Sequence, residues 1–137
     1  MLPKLFSIFA TALLLNLVWE HAHSFLYTQY QGGAITEFIL LRASLVDALI
    51  ITAVVFPFIF LPALEKKNWL IIFFGVAIAI GIEMYALRTG RWSYNEYMPV
   101  LPWLSVGLTP TMQLGLLGYL TYWLVVGNEK NPRGTKS

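Results

Sequence analysis

The stretch FILLRASLVDALIITAVVFPFIFL, residues 38–61, decides how this chain folds. As a helix it is about 36 Å long, enough to cross a hydrocarbon core of about 30 Å. Yet it carries Asp47 in its first half. A carboxylate at the centre of a membrane helix costs about 3 kcal/mol on insertion scales, so such residues persist mainly where they are paired, hydrated or functional. Two more acids sit in the same way: Glu20 within Leu5–Tyr27 and Glu83 within Trp69–Leu87.

Composition agrees with a membrane reading. Of the 137 residues, 58% are hydrophobic and 12% charged, about half the charged share of a soluble domain. Mean hydropathy is +0.66. A net charge of +2, with no basic patch interleaved with aromatics, excludes nucleic acid as a partner. The chain has no cysteine, which removes disulfides, thiolate metal sites and cysteine nucleophiles. Lys4 ahead of Leu5–Val18, with Ala22-His23-Ser24 as a small-residue site, has the outline of a secretory signal. The apolar run continues to Tyr27, however, and the downstream helices need a partner, so a retained first helix is expected.

Four membrane helices are expected: Leu5–Tyr27, Phe38–Leu61, Trp69–Leu87, and a fourth between about Trp103 and Val126 that Thr109-Pro110 starts or kinks. Their connections are short, which predicts an all-α, antiparallel four-helix transmembrane bundle over residues 1–127. A polar tail, 128–137, follows. Lys4, Lys66, Lys67, Lys130, Arg133 and Lys136 fall on one side, and Arg42, Arg88 and Arg91 on the other. This excess predicts both termini in the cytoplasm of a multi-pass inner-membrane protein. Trp69 at one boundary, and Trp92, Tyr94 and Tyr97 at the other, suit aromatic belts.

That topology gathers the polar residues. Each acid lies about 6 to 14 Å below the outer end of its helix, at 1.5 Å per residue. Arg42, Arg88, Arg91, His21, His23 and Gln113 share that side. Asn16, Glu20, His23 and Tyr27 form one stripe at helical spacing. Gly75, Ala79 and Glu83 form a small-residue stripe that lets a neighbour approach, and Thr111, Gly115 and Gly118 form another. Hydrogen-bonding glue between helices would be spread through the bundle, whereas this cluster is one-sided.

Three chemistries fit. Glu20 and His23, a Glu-x-x-His pair on one helix face, supply two ligands of a carboxylate metal site, so a divalent metal is a candidate cofactor. Alternatively, Glu20, Asp47 and Glu83 act as metal-free acid and base groups on a lipid double bond. In that case Arg42, Arg88, Arg91, Trp92, Tyr94 and Gln113 bind the substrate. Finally, the same residues serve a non-catalytic lipid-binding, transport or accessory protein, as a homo-oligomer or within a membrane complex.

The segments NLVWEHAH at 16–23, SLVDA at 44–48, GRWSYNEYMP at 90–99 and GLTPTMQ at 107–113 resemble a class of small bacterial four-helix membrane proteins with no assigned activity. Glu83 with the Trp92-x-Tyr94 pattern is also similar to membrane-embedded carotenoid cyclases and hydratases, although their paired-acid motif is absent. The second resemblance implies an isoprenoid substrate and tilts the expectation towards a lipid- or isoprenoid-modifying enzyme.

Overall fold

The computed structural model describes residues 1–30 and 33–127; the tail 128–137 lies outside the described residues. Helix α1 spans Leu2–His23 and ends in a 3₁₀ turn, Ser24–Leu26, that feeds strand β1, Tyr27–Tyr30. Helix α2 is Glu37–Phe60, α3 the single turn Pro62–Glu65, and α4 Leu70–Arg88. Strand β2, Trp92–Tyr94, precedes α5, Leu108–Tyr122, which continues through a π-helical turn, Trp123–Gly127. The path from 108 to 127 is about 30 Å long at helical rise.

Local chemistry sets these boundaries. Thr36 caps α2, its hydroxyl accepting from the Ile39 amide, a side-chain substitute for a missing helical bond. His21 at the end of α1 donates from Nδ1 to the Leu17 carbonyl at 2.7 Å and from Nε2 to Glu37 at 2.6 Å, joining the adjacent ends of α1 and α2. Helix α4 closes on Gly90, whose φ of 72° suits glycine. There the Arg91 amide reaches back to the Ala86 carbonyl and the Gly90 amide to that of Leu87, a Schellman closure. The chain therefore doubles back over the end of α4.

Three helices, within 2–26, 37–60 and 70–88, are long and apolar enough to cross a membrane, and less than a third of each is buried within the protein. Their outward faces carry Leu14, Val18, Leu45, Leu49, Phe73 and Phe74, all exposed. Their inward faces are narrow stripes: Ile8, Ala12, Asn16, Glu20 and His23 on α1, and Ile71, Gly75, Ala79, Glu83 and Ala86 on α4. An apolar exterior around a partly polar interior needs an apolar solvent. Helix α5 is the most enclosed, with Gln113, Leu114, Gly115, Leu117, Gly118 and Thr121 among its buried residues.

Packing is uneven. Helix α1 lies closely along α2, and α4 along α5, whereas α2 and α4 touch over a short stretch. The α4–α5 crossing is a backbone contact: a Cβ on Gly75 would lie 2.4 Å from the Gly115 Cα, and one on Gly115 2.6 Å from the Ile72 carbonyl oxygen. The two small-residue stripes expected from sequence do meet.

The chain is mostly helical, with a short ribbon beside the expected helices: β1 and β2 pair antiparallel, with Tyr27 opposite Tyr94 and Tyr30 opposite Trp92. The fourth helix begins at Leu108, beside the Thr109-Pro110 pair expected to start or kink it. Pro99 and Pro102 interrupt helical geometry, and Trp103 and Ser105 take left-handed φ values of 68° and 56°. The Leu101 amide bonds the Val106 carbonyl at 2.8 Å, closing that loop on itself.

Gly115→Val should separate α4 from α5 and lower the unfolding midpoint in detergent by an amount matching about 1–3 kcal/mol of overpacking. A Cβ added at Gly81 would meet nothing within 4 Å, so Gly81→Ala should leave the midpoint unchanged or raise it. Equal midpoints for the two variants would remove the close crossing.

Candidate functional site

Gln113 of α5 stands at the centre of the buried polar residues. Its Nε2 lies 2.9 Å from Asn16 Oδ1, 3.0 Å from Glu20 Oε1 and 2.9 Å from Asp47 Oδ2. An amide nitrogen has two hydrogens, and here three acceptors surround it. Asn16 is fixed in orientation, because its own Nδ2 donates to the Ala12 carbonyl at 2.7 Å. Glu20 of α1 and Asp47 of α2 are thus brought together on one nitrogen.

His23 extends the network from the end of α1. Its Nε2 is 3.3 Å from Glu20 Oε2 and its Nδ1 is 3.0 Å from the Thr109 hydroxyl. Both ring nitrogens are thus engaged within the protein. The metal expectation for Glu20 and His23 does not fit this arrangement. Their facing atoms bond each other, and among the described residues no three His, Cys, Asp or Glu side chains converge as a ligand set.

Glu83 is held separately. Its Oε2 accepts from Trp92 Nε1 at 3.0 Å and from the Tyr94 hydroxyl. The Tyr94 oxygen in turn accepts from the Gly107 amide at 2.9 Å. The turn at Gly90 makes this possible by returning β2 over the end of its own helix. Trp92 and Tyr94 therefore point inward, and not to the headgroup belt expected of them. Tyr97 and Trp103 are the exposed aromatics of that loop.

The ribbon roofs the acids with aromatic rings. Tyr27 packs against Tyr30 at 4.7 Å, Tyr94 at 5.2 Å and the His23 imidazole at 5.4 Å between centroids. Tyr30 meets Trp92 at 5.9 Å. Asn95 fastens the roof, its backbone amide bonding the Leu26 carbonyl.

Below the ribbon lies a cavity of about 370 Å³, bordered by Glu20, Asp47, Glu83, His23 and Gln113, within the size range of small-ligand sites. Ile39, Val46 and Ile50 of α2 and Ala79, Ile82 and Ala86 of α4 form apolar walls. Val46 and Tyr85, from the two facing helices, are both exposed. The mouth is therefore the gap between α2 and α4, open to the side of the bundle.

All three acids border this cavity, as do Arg42, Arg91, Trp92 and Gln113. Arg88 does not. It borders a separate recess with Met84, Leu87 and Leu104, being five residues beyond Glu83 and so about 140° around the helix. The expectation that arginines hold the acids is also revised. The partners of Glu83 are the neutral donors Trp92 and Tyr94, and among the described residues Arg88 and Arg91 form no ion pair with it. Tyr30 and Thr109 were not expected in the site. Tyr30 lies one step beyond the stripe that ends at Tyr27, and Thr109 stands beside the proline that opens α5. No family model, no curated protein and no solved structure matches this chain.

Gln113→Leu would strip a donor from Asn16, Glu20 and Asp47 together. It should destabilise the fold by about 3 kcal/mol, the scale for a buried group left unpaired, as read by unfolding in mixed micelles; an unchanged midpoint would remove Gln113 from the centre of the network.

Burial holds the phenols of Tyr27, Tyr30 and Tyr94 above the ordinary tyrosine range; the Glu83 charge adds to this at Tyr27, the Glu20 charge at Tyr30 and the bond to Glu83 at Tyr94. A folded-state value raised above the unfolded one of about 10 means that the folded chain keeps protons the unfolded chain releases. Their stabilising contribution is whole below about pH 10 and falls above it. Tyrosinate absorbance should rise in two phases, the second coinciding with loss of helix. A single phase over an intact helical signal would contradict the burial.

Proposed function

We propose that this protein is a multi-pass enzyme of the cytoplasmic membrane that moves protons on a double bond of an unsaturated lipid, with isoprenoids as the leading class. The observation that carries this reading is the convergence of Glu20 and Asp47 on Gln113 at the border of an apolar, side-opening cavity. In this reading the two carboxyls share one proton, which removes one of two charges that would be costly at this depth. It also leaves an acid poised in an apolar surround, as general acid catalysis requires. The resemblance of Glu83 and Trp92-x-Tyr94 to carotenoid-modifying membrane enzymes points the same way.

The proposed topology has four spans with both termini inside. Lys4, Lys66 and Lys67 belong to one end of the bundle and Arg42 and Arg91 to the other, which favours a cavity in the outer leaflet. A lipid enters between α2 and α4 with its double bond beside the pair. The shared proton goes to one alkene carbon as the π electrons form the new C–H bond, leaving a cation on the adjacent carbon. The faces of Tyr27, Tyr30 and Trp92 stabilise that charge, as does the Glu83 carboxylate. The pair, now doubly charged, takes a proton from a neighbouring carbon and the double bond reforms one position along. Atoms and electrons balance, and no co-reactant is needed. Ring closure before proton loss is the cyclising variant of the same step.

The test is solvent exchange. Membranes holding the protein, incubated in heavy water with a polyprenyl lipid, should place deuterium on the chain, read by mass spectrometry. Glu20→Gln and Asp47→Asn should each slow incorporation by about 10² or more, the usual contribution of a general acid, while retaining wild-type helix content. Incorporation equal in wild type, variants and empty membranes would end the proposal. Binding of the lipid without exchange would indicate a lipid-binding protein in place of an enzyme.

A further inference from the structure

The cavity lining is sorted by depth. On α2, Arg42 precedes Asp47 by five residues, about 7.5 Å along the axis, and Ile50 lies a further turn inward. On α4 and its closing turn, Arg91 follows Glu83, and Ala79 lies four residues inward of it. Arg42, Arg91, the acids, Ile50 and Ala79 all border the same space. From the outer end inward the order is therefore cation, acid, aliphatic. Both arginines are exposed, so their guanidinium groups reach the rim.

We propose that the ligand of this cavity is a single-chain amphiphile with an anionic phosphate or carboxylate head, the head lying against Arg42 and Arg91 and the chain running inward past the acids. Planar guanidinium groups suit such heads because their N–H groups match two oxygens at once. A neutral hydrocarbon would use the aliphatic wall and offer no acceptor to the two rim guanidinium groups. The apolar depth below the acids is short, so the chain leaves through the gap between α2 and α4. The 7.5 Å offset, about one and a half helical turns, places the bond beside Glu20 and Asp47 near the head and not at the far end of the chain. That last point rests on the acid–base reading; the preference for an anionic head rests on binding alone.

Equilibrium binding to the full chain in nanodiscs of zwitterionic lipid tests this, with farnesyl phosphate, farnesol and inorganic phosphate as probes. Farnesyl phosphate should bind tighter than farnesol by about tenfold or more, the worth of one charge-assisted contact. Arg42→Gln and Arg91→Gln should bring the two lipids to equal affinity, and Arg→Lys at either position should restore part of the difference. Equal affinities in the wild-type protein would overturn the proposal, whether or not the variants accumulate. Competition by inorganic phosphate as strong as by farnesyl phosphate would overturn its lipid part and leave a free-anion site. Deuterium exchange into farnesol as fast as into farnesyl phosphate would remove the head-group role and keep the acid–base reading; phosphate-dependent binding with no exchange would do the reverse.

Discussion

Two amide hydrogens on Gln113 face three acceptors, and much of the interior is arranged around that mismatch. In an apolar medium a polar group without a partner costs several kcal/mol, so the interior must close its own hydrogen bonds. Asn16 and Glu20 come from α1, Asp47 from α2 and Gln113 from α5. Three helices are thereby tied at one depth by one side chain. In the proposed reading, structure and reactivity share one origin: the side chain that ties the helices together also gathers the acid and base groups.

The glycine crossing serves the same site from a distance. Because Gly75 and Gly115 bring α4 and α5 into backbone contact, α4 is drawn towards α5 and away from α2. Helix α1, against α2, forms the other close pair. The space between the pairs is the cavity, and its walls are the helix faces that no small-residue stripe pulls together. Above it, the Gly90 closure supplies what α4 lacks. A straight continuation would carry Trp92 and Tyr94 away from Glu83, whereas the reversal lays them back on it.

Much of this was legible in the sequence, and the reasons are specific. The three long apolar helices lie within a few residues of their expected limits, because each is an apolar run long enough to span and bounded by a short polar connection. The acids share a site because helical rise and alternating direction fix depth. The stripe from Asn16 to Tyr27 follows from spacing. The partners of the acids were less legible. Opposite charge is the obvious partner for a carboxylate, yet Glu83 is held by an indole and a phenol that only a chain reversal brings near. Arg88 is close to Glu83 in sequence and far from it around the helix. The start of α5 was legible only as a choice, with Thr109-Pro110 starting or kinking the helix, because Leu101, Trp103 and Leu104 continue its hydropathy through backbone that is not helical. The hub role of Gln113 depends on three helices at once, which no local pattern reports.

The sideways mouth between α2 and α4 has a consequence for how occupancy should be thought about. In the membrane reading, such a site meets its ligand in two dimensions, among hydrocarbon chains that already fill every gap. It never binds from vacancy; it exchanges one chain for another. Its effective affinity is then a ratio between competing lipids, expressed in mole fraction of the surrounding leaflet. A change in membrane composition would shift its occupancy even at a constant amount of the cognate ligand. Selectivity, more than strength, is what the polar groups lining the cavity have to supply.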